Sequence, residues 1–434
     1  MSTMNVLLLG SGGREHAIAW KISQSSLLSK LYVAPGNAGT DSLATNVDLD
    51  PMDFPSIGRF IRKNEINMLI VGPEAPLVEG IIDFFQDSDK FEGLVTIGPR
   101  KAGAMLEGSK DFAKAFMARH NIPTADYATF KSNEIKKAKN YLDERTPPYV
   151  IKADGLAAGK GVIITSDREE AESTLEDILL NNQFGDAGSQ VVIEQYMEGI
   201  EVSYFVVTDG DAYRILPSAK DYKRVGEGDT GPNTGGMGAV SPVPFVDAEF
   251  HTKTLNQIII PTIKGLKEDE IPYNGFIFIG LMRVGSDPYV VEYNTRLGDP
   301  ETEVVLPRVK SDLLHMFDAL GSGMLSEYDL QIDERAATTV ILTSGGYPGS
   351  YEKGLNIIGL NNEPDPKEGI VFHAGTKTSR GKVLTNGGRV IACTGLGANI
   401  EKALERSYKL AGSIDFGKKQ YRKDIGQDVI TKEE

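Results

Sequence analysis

Short apolar runs alternate with longer amphipathic stretches over the N-terminal quarter of the chain. The apolar runs predict buried strands, and the amphipathic stretches predict helices, one of which would present Ile18, Ile22 and Leu28 on one side. The predicted strands are 6–9, 31–34, 66–71 and 94–97, and the predicted helices are 15–28 and 55–64. Strands that alternate with helices are typical of a doubly wound parallel sheet.

Glycine-rich segments follow three of these predicted strands, at 10–13, 35–39 and 72–74. In a parallel sheet the carboxyl ends of the strands lie at one edge, where ligands bind. We therefore expect the three segments to come together as a site for an anion.

The pattern changes from about residue 105. A helix is predicted at 109–120 with Ser109 as its N-cap, and a glycine- and proline-rich stretch, 217–244, is predicted to be a long functional loop. The remaining predicted strands are 149–153, 162–165, 191–196, 202–208, 275–283, 289–293, 336–342, 371–374 and 389–394, and the remaining helices are one after residue 313 and one at 398–411.

Composition narrows the functional classes. The 434 residues suggest about three domains at roughly 150 residues each. The formal net charge of −15 argues against a general nucleic-acid binder. Cys393 is the single cysteine, which excludes an internal disulfide framework. With neither a signal peptide nor a run of about 18 apolar residues, we expect a cytoplasmic protein that does not enter the membrane.

The first glycine-rich segment resembles a dinucleotide-binding fingerprint only in part. Its sixth position is Glu15 instead of glycine, and the second predicted strand ends Ala34-Pro35-Gly36, without the acidic residue that would hold a ribose. Backbone amides at a helix start still suit a phosphate. A simple tight turn explains this segment equally well.

A second glycine-rich loop, 155–161, is one residue too short for a Walker A loop, and Gly161 stands where Ser or Thr should be. It lies between two predicted strands, which favours a hairpin that closes over nucleotide phosphates; the alternative is a plain hairpin turn. Lys152 lies in the apolar strand before the loop, and a buried lysine needs an anionic partner.

Two pairs of residues are candidates for metal and ribose binding. Alternation puts Glu292 and Asn294 on one face of a strand, and their oxygens suit magnesium, although an exposed strand end explains the pair alone better. Glu194 and Glu201 flank a turn where a carboxylate could hold ribose hydroxyls, although exposed glutamates are commoner.

Taken together, these segments resemble the ATP-grasp enzymes and, within them, the phosphoribosylamine–glycine ligase family. The resemblance runs in order through nearly the whole chain. Its segments are 6–17, 34–40, 71–77, 152–161, 230–238, 296–301, 372–376 and 385–390.

The resemblance implies an α/β fold of three domains: an N-terminal doubly wound parallel-sheet domain at 1–104, an ATP-grasp domain at 105–330 and a C-terminal α+β domain at 331–434. The ATP-grasp domain would include a small lid subdomain at about 124–195. The implied reaction joins glycine to 5-phosphoribosylamine through a glycyl phosphate, with ATP and Mg²⁺ or Mn²⁺, in purine biosynthesis. The implied partners are these small molecules, and the implied state is a monomer or weak homo-oligomer.

By position, the resemblance also implies roles for individual residues. Lys110 and Lys152 would bind the ATP phosphates, and Glu292 and Asn294 would bind the metal ion. Arg296 would steady the acyl phosphate or the glycine carboxylate and, with Lys152, act in catalysis; Asp221 would bind the glycine ammonium. The other implied ATP-binding residues are Gly155, Gly159, Lys160, Gly161, Glu194 and Glu201, and the other implied substrate-binding residues are Gly10, Gly12, Gly13, Asn37, Gly39, Pro73, Glu74, Gly298 and Asp299.

Four residues depart from the family pattern. Lys220 and Tyr222 stand where Gln and His are more usual, Leu297 where Phe is, and Glu303 where Gln is. They affect the expected substrate contacts and leave the reaction class unchanged.

Three other functions remain as alternatives. The first two are another ATP-grasp ligase and a biotin-dependent carboxylase; the purine relatives that carboxylate or formylate would lack the run 230–238. The third is a non-catalytic nucleotide-binding regulator, which need not retain the lysines, the metal ligands and Arg296. A dehydrogenase is disfavoured by Glu15 and Ala34.

Overall fold

The computed structural model describes residues 3–157, 161–181, 183–360 and 365–430. Its N-terminal part contains a five-stranded parallel sheet in the order β3-β2-β1-β4-β5, as the strand and helix pattern predicted. The elements are β1 Met4–Gly10, α1 Gly13–Ile22, β2 Leu28–Pro35, β3 Thr45–Asn46, α2 Phe54–Lys63, β4 Met68–Val71, α3 Glu74–Val78, α4 Ile81–Gln86 and β5 Val95–Ile97.

The first helix is shorter than the sequence predicted. It ends at Ile22, and Leu28 begins β2 instead of completing the helical face. Five residues, 23–27, separate the two elements, and the first four are polar. The Ser25 hydroxyl donates to Asp312 at 2.7 Å. Serine side chains that bond elsewhere favour a turn over a continued helix.

Two helices and a small sheet follow. The small sheet is antiparallel, in the order β6-β9-β7-β8, with two helices packed against it. The elements are α5 Lys101–Gly108, α6 Lys110–Arg119, β6 Tyr127–Lys131, α7 Ile135–Asp143, β7 Tyr149–Ala153, β8 Val162–Thr165, α8 Arg168–Leu179 and β9 Gln190–Gln195. Ser109 caps α6 as predicted, accepting a hydrogen bond from the Phe112 amide.

An eight-stranded sheet occupies the rest of the chain, in the order β16-β15-β10-β11-β14-β17-β21-β18. Its elements and their connections are β10 Ile200–Thr208, β11 Tyr213–Asp221, β12 Arg224–Gly226, β13 Thr230–Asn233, β14 Gly238–Ser241, α9 Ala248–Thr254, a π-helical turn Leu255–Ile259, α10 Ile260–Glu268, β15 Gly275–Val284, β16 Asp287–Asn294, α11 Thr302–Val305, α12 Leu313–Gly321, β17 Ala336–Thr343, β18 Gly369–His373, β19 Thr376–Ser379, β20 Lys382–Thr385, β21 Arg389–Gly397, α13 Ile400–Ser413 and α14 Gln427–Ile430.

The prediction of a long loop at 217–244 is therefore wrong. The end of β11 and the strands β12, β13 and β14 fill that stretch, and β14 pairs with β17 far along the chain. Gly228, between β12 and β13, and Gly236, between β13 and β14, have positive φ angles of 66° and 118° and allow the tight turns between these short strands. The same residues that suggested a loop allow the chain to reverse.

One apolar core joins the parts of the molecule. It contains Val6 from the N-terminal sheet, Phe205 from β10, Phe317 from α12 and Phe372 from β18, all fully buried. The shared core fixes the loops of the parallel sheet against the large sheet. None of the helices in the described part of the chain has the length and apolar character needed to span a membrane.

Candidate active site

A cavity of about 710 Å³ lies where the edge of the parallel sheet, the small sheet and the large sheet meet. It brings together most of the residues singled out from the sequence: Gly10, Gly12, Pro73, Glu74, Lys110, Lys152, Gly155, Gly161, Glu194, Asp221, Glu292, Asn294, Arg296, Gly298 and Asp299. Residues that are far apart in sequence thus face one space.

The other candidates lie elsewhere. A Cβ on Gly13 would lie 2.1 Å from Glu303 Oε1, and one on Gly39 would lie 2.2 Å from His16 Cε1, so both glycines allow close packing behind the cavity. Asn37 lines a second cavity, and Glu201 lies in a small recess beside the first. Gly159 and Lys160 are outside the described residues.

Lys152 is one of three buried residues that form an ion-paired group on the cavity wall. The Glu194 carboxylate forms ion pairs with Lys152 Nζ at 2.9 Å and with Lys114 Nζ at 3.3 Å, and all three side chains are buried. Burial alone would raise the pKa of Glu194, but the two ammonium groups hold it below its usual value. Burial lowers the pKa of Lys114 to about 8. Lys114 was not predicted from the sequence, although its spacing of four residues from Lys110 puts both on one face of α6.

The N-terminus of α6 is fastened to the end of β7 by Asp154. This carboxylate accepts hydrogen bonds from the Asp111 amide at 2.7 Å and from the Ser109 hydroxyl at 3.0 Å. Lys110 then reaches the Gly155 carbonyl at 3.2 Å, and burial lowers the pKa of its ammonium. Lys110 and Lys152 are therefore held on neighbouring walls by contacts that do not involve a ligand.

Arg296 is held by two carboxylates. Its guanidinium pairs with Glu107 at 2.8 Å and with Glu74 at 3.4 Å. Glu107 also accepts the Thr295 amide at 2.8 Å, and burial raises the pKa of this carboxyl. Glu107 was not predicted from the sequence, because it lies on α5, far from Arg296 along the chain.

An acidic group with one lysine forms the next wall. Lys223 Nζ contacts Glu201 Oε2 at 2.5 Å and Asp221 Oδ1 at 3.2 Å. Burial raises the pKa of Asp221, and burial together with the Asp221 charge raises the pKa of Glu301 to about 7. Lys223 and Glu301 were not among the residues identified from the sequence.

Glu292 and Asn294 lie at the end of β16 and both line the cavity. One carboxylate and one amide oxygen are hard donors of the kind that Mg²⁺ and Mn²⁺ accept. The described residues contain no group of three or more His, Cys, Asp or Glu side chains that could hold a metal. The pair therefore fits an ion that takes its other ligands from phosphates and water.

The second cavity, of about 600 Å³, shares a wall with the first. Arg389 pairs with Asp299 at 3.0 Å in that wall, and Asp299 also accepts the Arg14 amide at 3.2 Å. Asn37 donates to the Ser11 carbonyl at 2.9 Å and to the His373 carbonyl at 2.8 Å. The first two glycine-rich segments thus lie in contact with each other, as expected for neighbouring loops at one sheet edge. Asn37 also ties them to the C-terminal part.

Comparisons with known proteins match this arrangement along the whole chain. The phosphoribosylglycinamide synthetase N domain matches residues 4–107, the ATP-grasp (A) domain 108–302 and the C domain 337–428. Phosphoribosylamine–glycine ligase of Pseudomonas aeruginosa is 47% identical over 433 residues, which are 99% of each chain. The chain belongs to the phosphoribosylamine–glycine ligase family.

Solved structures agree with this membership. Phosphoribosylamine–glycine ligase of Thermotoga maritima superposes with a TM-score of 0.81 at 35% identity, covering 97% of this chain and 99% of that one. The biotin carboxylase domain of the Hydrogenobacter thermophilus 2-oxoglutarate carboxylase superposes with a TM-score of 0.74 at 15% identity, covering 97% of this chain and 92% of that one. At this identity the similarity shows the fold alone. The family and the three-part fold predicted from the motifs are confirmed.

The departures from the family pattern lie outside the main cavity. Leu297 is 2% exposed and belongs to the apolar core. Lys220 and Tyr222 both bond to Asp428 near the C-terminus. Glu303 is fully buried against Gly13.

Glu303 is expected to destabilise this member of the family at neutral and alkaline pH. Both its carboxyl oxygens are buried and without a hydrogen-bond partner among the described residues, and burial raises its pKa well above the usual value. Above the pKa of the unfolded chain, the unfolded state releases this proton first, so stability falls as pH rises towards the folded pKa. Glu303→Gln should therefore raise the Tm, and by more at pH 8 than at pH 5.

Thermal unfolding of both proteins across that pH range measures the difference. Glu405→Gln, an exposed carboxylate paired with Lys402 at 2.7 Å, is the control and should not show a gain that grows with pH. A Glu303→Gln gain that is equal at pH 5 and pH 8 would show that Glu303 is ionised in the folded protein throughout.

Proposed function

We propose that this chain joins glycine to 5-phosphoribosylamine with ATP, giving glycinamide ribonucleotide, ADP and phosphate through a glycyl phosphate. The chain belongs to this family, and the observation that carries the proposal is that one cavity is lined by the five residues expected to act on ATP and glycine. These are Lys110, Lys152, Glu292, Asn294 and Arg296. Two cations, two oxygen ligands and a guanidinium are what transfer of a phosphoryl group to a carboxylate requires.

ATP binds between the two neighbouring walls of the cavity that carry Lys110 and Lys152. Lys110 and Lys152 bind the phosphates, and the already-formed pairs of Lys152 and Lys114 with Glu194 orient the ammonium groups before the nucleotide arrives. Glu292 and Asn294 hold Mg²⁺ or Mn²⁺, which when bound neutralises phosphate charge. Gly155 and Gly161 border the same space and allow the backbone to approach the phosphates closely.

Glycine binds between Asp221 and Arg296. Lys223 contacts Asp221 through Oδ1, and the glycine ammonium is bound by the other oxygen. Arg296, fixed by Glu107 and Glu74, faces the glycine carboxylate and stabilises the charge of the acyl phosphate. Enclosure of this space protects the acyl phosphate from water.

5-Phosphoribosylamine occupies the second cavity, with its amine directed through the shared wall. Lys377 and Arg389 supply positive charge there, beside Gly12 and Asn37. The amine nitrogen then attacks the glycyl carbonyl carbon and loses a proton. The C–N bond forms as the C–O bond to the phosphate breaks, and inorganic phosphate leaves. The two cavities thereby bring two anionic substrates together without placing their charges in one space.

The overall reaction predicts that ADP release requires both co-substrates. A coupled assay with ATP, Mg²⁺ and glycine should give at least about a hundredfold more ADP when 5-phosphoribosylamine is generated in place from ribose 5-phosphate and ammonia. Ammonia alone and ribose 5-phosphate alone are the controls. Equal ADP release with bicarbonate or another amino acid in place of glycine would favour another ATP-grasp ligase, and no release at all would favour a regulator.

Asp221→Asn should raise the KM for glycine about tenfold or more and leave the KM for ATP near its original value. The amide keeps the shape of the side chain and removes the charge that binds an ammonium. Initial rates at varied glycine and varied ATP separate the two constants. A KM for glycine that does not change would contradict the assignment of the glycine ammonium to Asp221.

A further inference from the structure

The two residues on either side of Asp221 share one partner. Lys220 Nζ lies 2.7 Å from Asp428 Oδ2, and the Tyr222 hydroxyl donates to Asp428 Oδ1 at 2.5 Å. Successive side chains in an extended segment point to opposite faces, so Lys220 and Tyr222 face away from the cavity and Asp221 faces into it. A single carboxylate near the C-terminus therefore holds both neighbours of Asp221 from behind.

The tie to Asp428 lies at the end of the pairing between β11 and β14. The pairing of β11 with β14 consists of Lys220 with Val240 and Asp221 with Ala239, so Asp221 is the last paired position on that side. Beyond it, Tyr222 exchanges backbone hydrogen bonds with Met237 and Gly238. These hydrogen bonds hold the main chain around Asp221, and Asp428 binds the two side chains that flank it.

The side chains of this tie are packed tightly. The Lys220 ammonium lies 3.9 Å from the centre of the Tyr222 ring, and the Arg422 guanidinium lies 5.4 Å from it. Tyr222 is 3% exposed and Lys220 is 8% exposed. Because a buried ammonium needs an anion, loss of the Asp428 charge would leave the Lys220 ammonium without its paired carboxylate and would disturb its packing against the Tyr222 ring.

The same C-terminal segment holds the β12–β13 ribbon at a separate point. Asp424 accepts the Gly228 amide at 2.8 Å and pairs with Arg422 at 2.7 Å. Asp424 itself contacts neither Lys220 nor Tyr222, and only its partner Arg422 lies beside the Tyr222 ring. The segment therefore contains a second carboxylate of similar kind that can serve as a matched control.

We propose that Asp428 is a positioning residue for glycine: by binding Lys220 and Tyr222 it fixes the Asp221 carboxylate and the Lys223 ammonium in the cavity. This inference rests on the proposed function, in which Asp221 binds the glycine ammonium. Asp428 touches no substrate and acts only through the residues that flank Asp221. The expected consequence of its loss is weaker glycine binding with ATP binding preserved.

Asp428→Asn tests the inference in the full-length protein. It should raise the KM for glycine about fivefold or more, with kcat and the KM for ATP changed less than about twofold. Asp428→Glu keeps the charge and should restore at least part of the glycine affinity. If Asp428→Asn does not fold, Lys220→Met breaks the same tie from its other end and must raise the KM for glycine.

Asp424→Asn is the control for general loosening of the C-terminal segment. The Tm values of Asp424→Asn and Asp428→Asn show whether the two variants lose similar stability. If it raises the KM for glycine as much as Asp428→Asn does, the inference is overturned, because the effect does not depend on the contacts to Lys220 and Tyr222. Equal losses of glycine and ATP affinity in Asp428→Asn would overturn it as well.

Asp221→Asn, measured in parallel, separates this inference from the proposed function. If Asp221→Asn raises the KM for glycine and Asp428→Asn does not, the positioning role is wrong and the glycine site stands. If Asp221→Asn leaves the KM for glycine unchanged, the glycine assignment is wrong and the role of Asp428 falls with it.

Discussion

Lys152→Met is expected to lower kcat by about a hundredfold to a thousandfold, the usual cost of removing one preorganised charge at a reacting phosphoryl group. Lys152 lines the cavity on β7, directly before the glycine-rich hairpin. Methionine keeps an unbranched apolar stem of similar length, so packing in the strand is preserved. The KM for ATP should rise together with the loss in kcat.

The fold should survive this change because Glu194 keeps one partner. Removing Lys152 breaks the contact at 2.9 Å, but Lys114 remains 3.3 Å from the other carboxylate oxygen. A buried carboxylate that loses its only partner typically costs about 3–5 kcal/mol, and the remaining lysine reduces that cost here. Thermal unfolding should therefore show a modest decrease in Tm.

Lys114→Met is the matched control. It removes the other ammonium from Glu194 and, in addition, the hydrogen bond to the Thr124 hydroxyl at 2.8 Å. It should lower stability at least as much as Lys152→Met while costing much less in kcat. Equal losses of kcat in the two variants would mean that Lys152 acts only by holding Glu194, and native turnover in Lys152→Met would exclude a phosphate role.

Local patterns were sufficient to predict the elements next to the cavity. The strand at 149–153 and the returning strand at 162–165 agree with β7 and β8, because each is a short apolar run bounded by residues that disfavour strands. The cap of α6 was equally readable, since Ser109 stands immediately before the helix. In these places the information lies within a few neighbouring residues.

The partners of the site residues could not be predicted in the same way. Glu107 and Arg296 come from α5 and from the segment after β16, and nothing in either segment indicates a contact at 2.8 Å with the other. Lys223 lies in a stretch interpreted as a loop, so its pairing with Asp221 was not foreseen. Such pairs depend on how distant strands are arranged, which hydrophobic period alone does not determine.

Glu292→Ala is expected to lower turnover about a thousandfold or more at any Mg²⁺ concentration. Glu292 is the carboxylate of the oxygen pair at the end of β16, and its charge also acts on the ammonium groups of Lys110 and Lys223. Its removal takes away the anionic metal ligand and leaves positive charge in the cavity uncompensated. Asn294→Ala should be milder, because an amide oxygen is a neutral ligand.

Titration with Mg²⁺ and with Mn²⁺ distinguishes a metal ligand from a general electrostatic role. Asn294→Ala should recover part of its turnover at high metal concentration, whereas Glu292→Ala should not. Glu201→Ala is the matched carboxylate control, because Glu201 contacts the same Lys223 at 2.5 Å but lies in the recess beside the main cavity. Near-native turnover of Glu292→Ala at saturating Mg²⁺ would show that Glu292 is not the metal ligand. The same metal dependence in Glu201→Ala would also contradict the assignment, because the effect of Glu292 would then come only from its negative charge near Lys110 and Lys223.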